Sequence, residues 1–109
     1  MSKIFFDHLV IFEEVEVHIK NIATTQEERE ELWHLVDGIV QTRVVSLILD
    51  HLPQEHHQEF IDRLHKAPHD ERHIHWLNER VQRNIEDVIR EEIKLLEKEI
   101  KEEMLIKKP

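Results

Sequence analysis

The stretch from Thr42 to Leu64, TRVVSLILDHLPQEHHQEFIDRL, constrains the fold more than any other. Val44, Leu47, Ile48 and Leu52 recur at helical spacing, and Val45 and Leu49 widen the stripe. That pattern implies a helix buried on more than one side. Pro53 has no backbone donor, and its fixed φ suits the first turn of a new helix. Glu55 falls in that turn, where a negative charge complements the helix dipole. Phe60, Ile61 and Leu64 give the second helix one apolar face. Two helices joined by so short a corner should be neighbours packed at an angle.

Upstream, Thr24-Thr25-Gln26-Glu27-Glu28 is a helix start, with Thr25 and Glu28, or Thr24 and Glu27, as a capping box. Leu32, Leu35, Val36, Ile39 and Val40 carry the stripe to the corner. The helix so defined covers about 27 residues and about 40 Å. The period runs through Asp37-Gly38, so Gly38 reads as a close-packing site within the helix, at about 1 kcal/mol relative to Ala. Downstream, Pro68 ends the next helix near Lys66. Asp70 caps a fourth helix that turns Ile74, Leu77 and Val81 inward. Asn84 caps a fifth, with Asp87 in the box position and Ile85, Val88, Ile89, Ile93, Leu96, Ile100 and Met104 as its stripe.

Residues 1–23 are the least determined segment. Lys3 to Phe12 favours a helix, while residues 13–22 stay open between helix, extended chain and edge strand, because Glu14 to Ile19 alternates strictly. Phe5, Phe6, Val10, Ile11 and Phe12 exceed what one helical stripe needs. The segment is either wrapped inside the fold or set against another subunit. Trp33 reads as core, and Trp76 is open between core and interface.

The run RVVSLILDHLPQEHHQEF, the break at Ala67-Pro68 and the run IEDVIREEI resemble a family of small all-helical bacterial domains of unknown function, from uncultured lineages. The resemblance covers roughly Ile22 to Ile100 and rests on patterns of Leu, Pro and Glu. It implies a compact helical domain and brings no functional residues with it.

Composition narrows the function classes. The 109 residues suit a single domain, 1–109, with a modest core. The formal net charge is −9, and residues 1–52 and 53–109 are each acidic, which disfavours nucleic acid and anionic membrane surfaces as partners. Protonating all ten histidines would bring the charge to about +1, so a pH-responsive interaction domain is one reading. There is no Cys, which fits a cytoplasmic setting. Asp7 and His8 interrupt the apolar run of residues 4–12, so no targeting segment is evident, and nothing approaches the roughly 20 apolar residues of a membrane span.

The chemically suggestive feature is histidine. Seven of the ten lie between His51 and His75, interleaved with Asp and Glu. His69 and His73 have the spacing that puts two ligands on one helical face, and His65 is the third candidate, so a surface zinc site is the sharp alternative. Against it, His69 precedes the capping Asp70, His56 and His57 fall in polar first turns, and HExxH is missing. Nucleophilic catalysis has little to use: the serines are Ser2 and Ser46, and a single glycine excludes the usual phosphate loop.

The reading is an all-α, irregular bundle of about five helices, two of them long. It is a non-enzymatic protein–protein interaction or structural module without a cofactor. The last helix, at about 35 Å, exceeds a globule whose radius of gyration is about 13 Å. Residues 100–109 therefore either overhang and meet a second copy, as a homodimer, or fray. Phe5, Phe6, Ile100 and Met104 are the expected contact residues.

Overall fold

Two long helices, α2 (Gln26–His51) and α5 (Ile85–Lys107), set the long axis of the molecule. The structure, a computed structural model, describes residues 4–107, with side chains as far as residue 103. Between the long helices come α3 (His57–Lys66) and α4 (Arg72–Asn78), and α1 (Glu13–Ile22) precedes them. Single 3-10 turns lie at Asp7–Leu9 and Gln54–His56, and the described residues contain no strand. The expected five-helix, all-α bundle is the fold.

α2 and α5 run antiparallel. Arg43 of α2 reaches Glu92 at 3.0 Å and Glu99 at 2.7 Å on α5, while Leu32 and Val36 line a groove with Ile100 and Glu103. Val36, Val40, Val44 and Ile48 form the buried row of α2, four residues apart throughout. Such a row lies nearly along the helix axis and fits a neighbour of similar length. α1 lies along α5 in the same direction: Glu97 accepts from the Val15 N–H, and Lys101 pairs with Glu14. The result is elongated, with extents of 46 × 24 × 19 Å and a radius of gyration of 15.3 Å.

The helix ends follow the sequence closely. Thr25 Oγ1 accepts from the Glu28 N–H at 3.1 Å, and the Glu28 carboxylate reaches back to the Thr24 N–H at 3.0 Å. At the start of α5, Asn84 Oδ1 accepts from Glu86 and Asp87, and Asn78 Oδ1 accepts from Ile85 at 2.7 Å. Three of the four orphan donors of that helix are thus satisfied by two asparagines. Asp70 accepts from the Arg72 N–H at 3.0 Å and closes α4 as expected, although the regular helix is counted from Arg72.

Two expectations are corrected and one open segment is decided. The helix expected over Lys3 to Phe12 does not form among the described residues 4–12: Phe5 and Phe6 make a turn, Asp7–Leu9 is a single 3-10 turn, and the rest is irregular chain. An irregular path can bury neighbouring side chains that a helix would splay apart, and Phe5, Phe6, Leu9 and Phe12 are all buried. Residues 13–22, left open by the alternation, form α1; its inward pair is Val15 and Ile19, at helical spacing. Pro53 opens a 3-10 turn rather than the next α-helix, which begins at His57.

Phe6→Ala should therefore lose about 3–5 kcal/mol in chemical denaturation, as a core aromatic does. Ile11→Ala, 64% exposed one turn away, should stay within about 0.5 kcal/mol. Equal, small effects of both would mean that the amino-terminal segment is not part of the core.

Candidate functional site

The histidine segment contains two helix-capping histidines. α2 and α3 end on carbonyls that no further helical turn can satisfy. His57 Nε2 lies 2.8 Å from the carbonyl oxygen of Leu52, the residue that closes α2. His73 Nε2 lies 2.6 Å from the carbonyl oxygen of Ala67, the residue that closes α3. A carbonyl only accepts, so in both rings Nε2 carries the hydrogen and donates. His57 is half-buried, not solvated as its place in a polar turn suggested.

His73 is buried at 3% exposure, edge-on to Phe5 with ring centroids 5.3 Å apart. Its Nδ1 is buried without a hydrogen-bond partner. His65 and His69 are exposed on the outside of the same corner. The three candidate zinc ligands thus include one ring already committed to the core. Among the described residues no group of three or more His, Cys, Asp or Glu is placed to hold a metal. His73→Ala should cost about 2–3 kcal/mol through the lost buried hydrogen bond and ring contact. His65→Ala and His69→Ala should change stability by under about 0.5 kcal/mol. Equal effects in thermal melts of all three would contradict this division.

Beside His73, the Arg72 guanidinium and backbone N–H hold the Asp70 carboxyl at a pKa of about 2. A depressed carboxyl stabilises the fold above its unfolded pKa and loses that contribution as pH falls through its folded value. Between about pH 4 and about pH 2 the native chain should therefore lose more stability than Asp70→Asn does. Parallel acid-unfolding curves for the two would contradict the assignment.

The expected contact residues are mostly internal. Phe5 and Phe6 are buried in the chain's own core, and so is Ile100, facing Leu32 and Val36 across the α2–α5 seam. They are used up in holding α5 and the amino-terminal wrap, and they present no surface to a partner. Met104 lies outside the described side chains. Trp76 is core: it stacks on Phe60 at 6.3 Å, with the guanidinium carbons of Arg80 and Arg63 at 4.2 and 5.1 Å from its ring centre. Trp33, read as core, is partly exposed at the core's margin.

Among the described residues the large apolar side chains left exposed are Leu35 and Ile39 on the outer face of α2, and Ile11, Val17 and Leu95 elsewhere. Leu35 is 63% exposed and Ile39 46% exposed. With Gly38, Thr42 and Ser46 they line a shallow groove of about 750 Å³ along the helix. The groove exists because residues 38, 42 and 46 are small and stand one turn apart on one side. Gly38 does not pack against its own chain, contrary to expectation: a Cβ built there meets nothing within 4 Å. The apolar surface continues into the α2–α5 seam as a second groove of about 340 Å³.

From Gly38 to Leu49 the sole charged residue is Arg43, and its guanidinium is held by Glu92 and Glu99. In a chain with 36% charged residues this is a conspicuous gap. α2 also carries an 18-residue window of mean hydropathy 1.3, only 22% of it buried. By length and composition alone it could cross a membrane, which corrects the expectation that nothing approaches a span. Burial of α2 extends beyond one row, since Val45, Leu47 and Leu49 also pack against the core, while Leu35 and Ile39 stay exposed.

Comparison with protein families, with curated proteins and with solved structures finds no match to this chain. The resemblance to small helical bacterial domains gains no support from it.

Proposed function

We propose that this chain is a small interaction module that self-associates through the outer face of α2. The observation that carries the reading is the open apolar groove beside Leu35 and Ile39, on a helix whose opposite face is already buried in the core. An exposed apolar patch whose Arg43 is already paired with Glu92 and Glu99 marks a contact surface on a strongly charged protein. The reading needs no cofactor and no catalytic residue. The absence of cysteine suits a cytoplasmic setting. The zinc alternative is not favoured, because His73 has a structural partner.

Gly38 provides the test, because fold and association respond to it in opposite directions. Gly38→Leu improves helix propensity at an open position and should raise the stability of the fold by about 0.5–1 kcal/mol. The same side chain fills the groove and should weaken self-association at least about tenfold. Sedimentation velocity from about 5 to about 500 µM reads the second effect and thermal melting the first. A native chain that stays monomeric throughout would contradict the reading.

A further inference from the structure

The outer face of α2 has a symmetry that its composition does not require. Counted from Thr42, Leu35 and Leu49 lie seven residues before and after, Gly38 and Ser46 four, and Ile39 and Val45 three. Large faces large, small faces small, and branched faces branched about one central residue. Leu35, Gly38, Ile39, Thr42 and Ser46 are exposed, while Val45 and Leu49 are partly buried against the core and offer the remainder of their side chains to the same face. A two-fold interface brings one patch onto its own copy, so it demands a surface of this kind. Two helices packed antiparallel about a two-fold axis at one residue place each position k residues before it on the position k after it. The polar residues at the ends are complementary rather than alike: His34 lies eight residues before Thr42, Asp50 eight after, and both are exposed.

We propose that two copies of this chain pair through α2, antiparallel, about a two-fold axis at Thr42. The proposal rests on the self-association reading above and specifies its geometry. Gly38 then faces Ser46 of the second copy and lets the helix axes approach to about 8 Å. Leu35 and Leu49 close both ends of the contact, and His34 stands opposite Asp50 of the second copy at each margin. From Leu35 to Leu49 the contact spans about 21 Å, a small interface whose dimer should dissociate on dilution.

The chain contains no cysteine, so single introduced thiols report the geometry directly. Under mild oxidation Thr42→Cys should form a disulfide-linked dimer by itself. Leu35→Cys alone should not, because its own copy lies about 21 Å away along the helix, beyond disulfide reach. Nor should Leu49→Cys alone. An equimolar mixture of the Leu35→Cys and Leu49→Cys proteins should cross-link. His34→Glu should raise the dimer dissociation constant about tenfold, and Asp50→Lys in the same chain should restore it. Circular dichroism confirms that each variant is folded, Leu49→Cys above all, because Leu49 is partly buried against the core.

The outcomes separate the proposal from the reading beneath it. Cross-linking by all three single variants indicates parallel helices and overturns the proposal, while self-association stands. A native dimer with no cross-link at any of these positions assigns the contact to another face and likewise overturns only the proposal. A native chain that is monomeric at the highest concentration overturns both. So does a monomer that instead floats with phosphatidylcholine vesicles, which would give the face to lipid.

Discussion

The row Val36, Val40, Val44 and Ile48, packed into the seam with α5, is the contact on which the rest of the structure depends. Burying four such side chains contributes on the order of 6–12 kcal/mol, an upper estimate similar in size to the whole stability of a small domain. Arg43 fixes the register of that seam from its edge, bridging Glu92 and Glu99 one heptad apart on α5. Once α2 and α5 are aligned, α1 has a groove to occupy and Glu97 is placed to accept from the Val15 N–H. The same alignment leaves Leu35 and Ile39, on the opposite side of α2, exposed. Interior and candidate contact surface are therefore two faces of one helix.

The short helices serve a different end. α3 and α4 close one end of the bundle around Phe5, Phe60, His73 and Trp76, and the Phe5 N–H donates to the Pro68 carbonyl at 2.8 Å. Helices of ten and seven residues are too short to be stable alone and depend on such docking. His57 and His73 supply hydrogen bonds to the residues that close α2 and α3, so part of the histidine density has a structural explanation. His8, His56 and His75 lie 3.6 to 3.9 Å from Glu86, Glu55 and Glu79 respectively, contacts worth little at an exposed surface.

Helix positions were legible in the sequence wherever a cap and a period agreed. Thr25 with Glu28, Asn84 and the end of α2 at Leu52 all stand where the pattern puts them, because capping is decided within four or five residues. The amino-terminal segment was only partly legible: Phe5, Leu9 and Phe12 keep a helical spacing, but Phe6 is buried beside them, and Phe5 is held by Phe60 of α3 and His73 of α4 rather than by a local helix. Histidine roles were hidden for the same reason: imidazole ligates a metal or caps a carbonyl with the same nitrogen, and only tertiary position distinguishes the two. The open face of α2 was visible as apolar residues but not as surface. Periodicity shows that a helix is apolar all round, while the number of neighbours it receives depends on the whole chain. Gly38, Thr42 and Ser46 at four-residue spacing were the local signal that one side is a groove.

The central claim is that the inner and outer faces of α2 have different partners. Methyl-resolved nuclear magnetic resonance over a dilution series tests it most directly, because methyl groups report both faces of the same helix. The methyls of Leu35, Ile39, Val45 and Leu49 should shift with concentration, while those of Val36, Val40, Val44 and Ile48 hold still. Concentration-dependent shifts confined to Ile11 and Val17, or no shifts at all, would contradict the account.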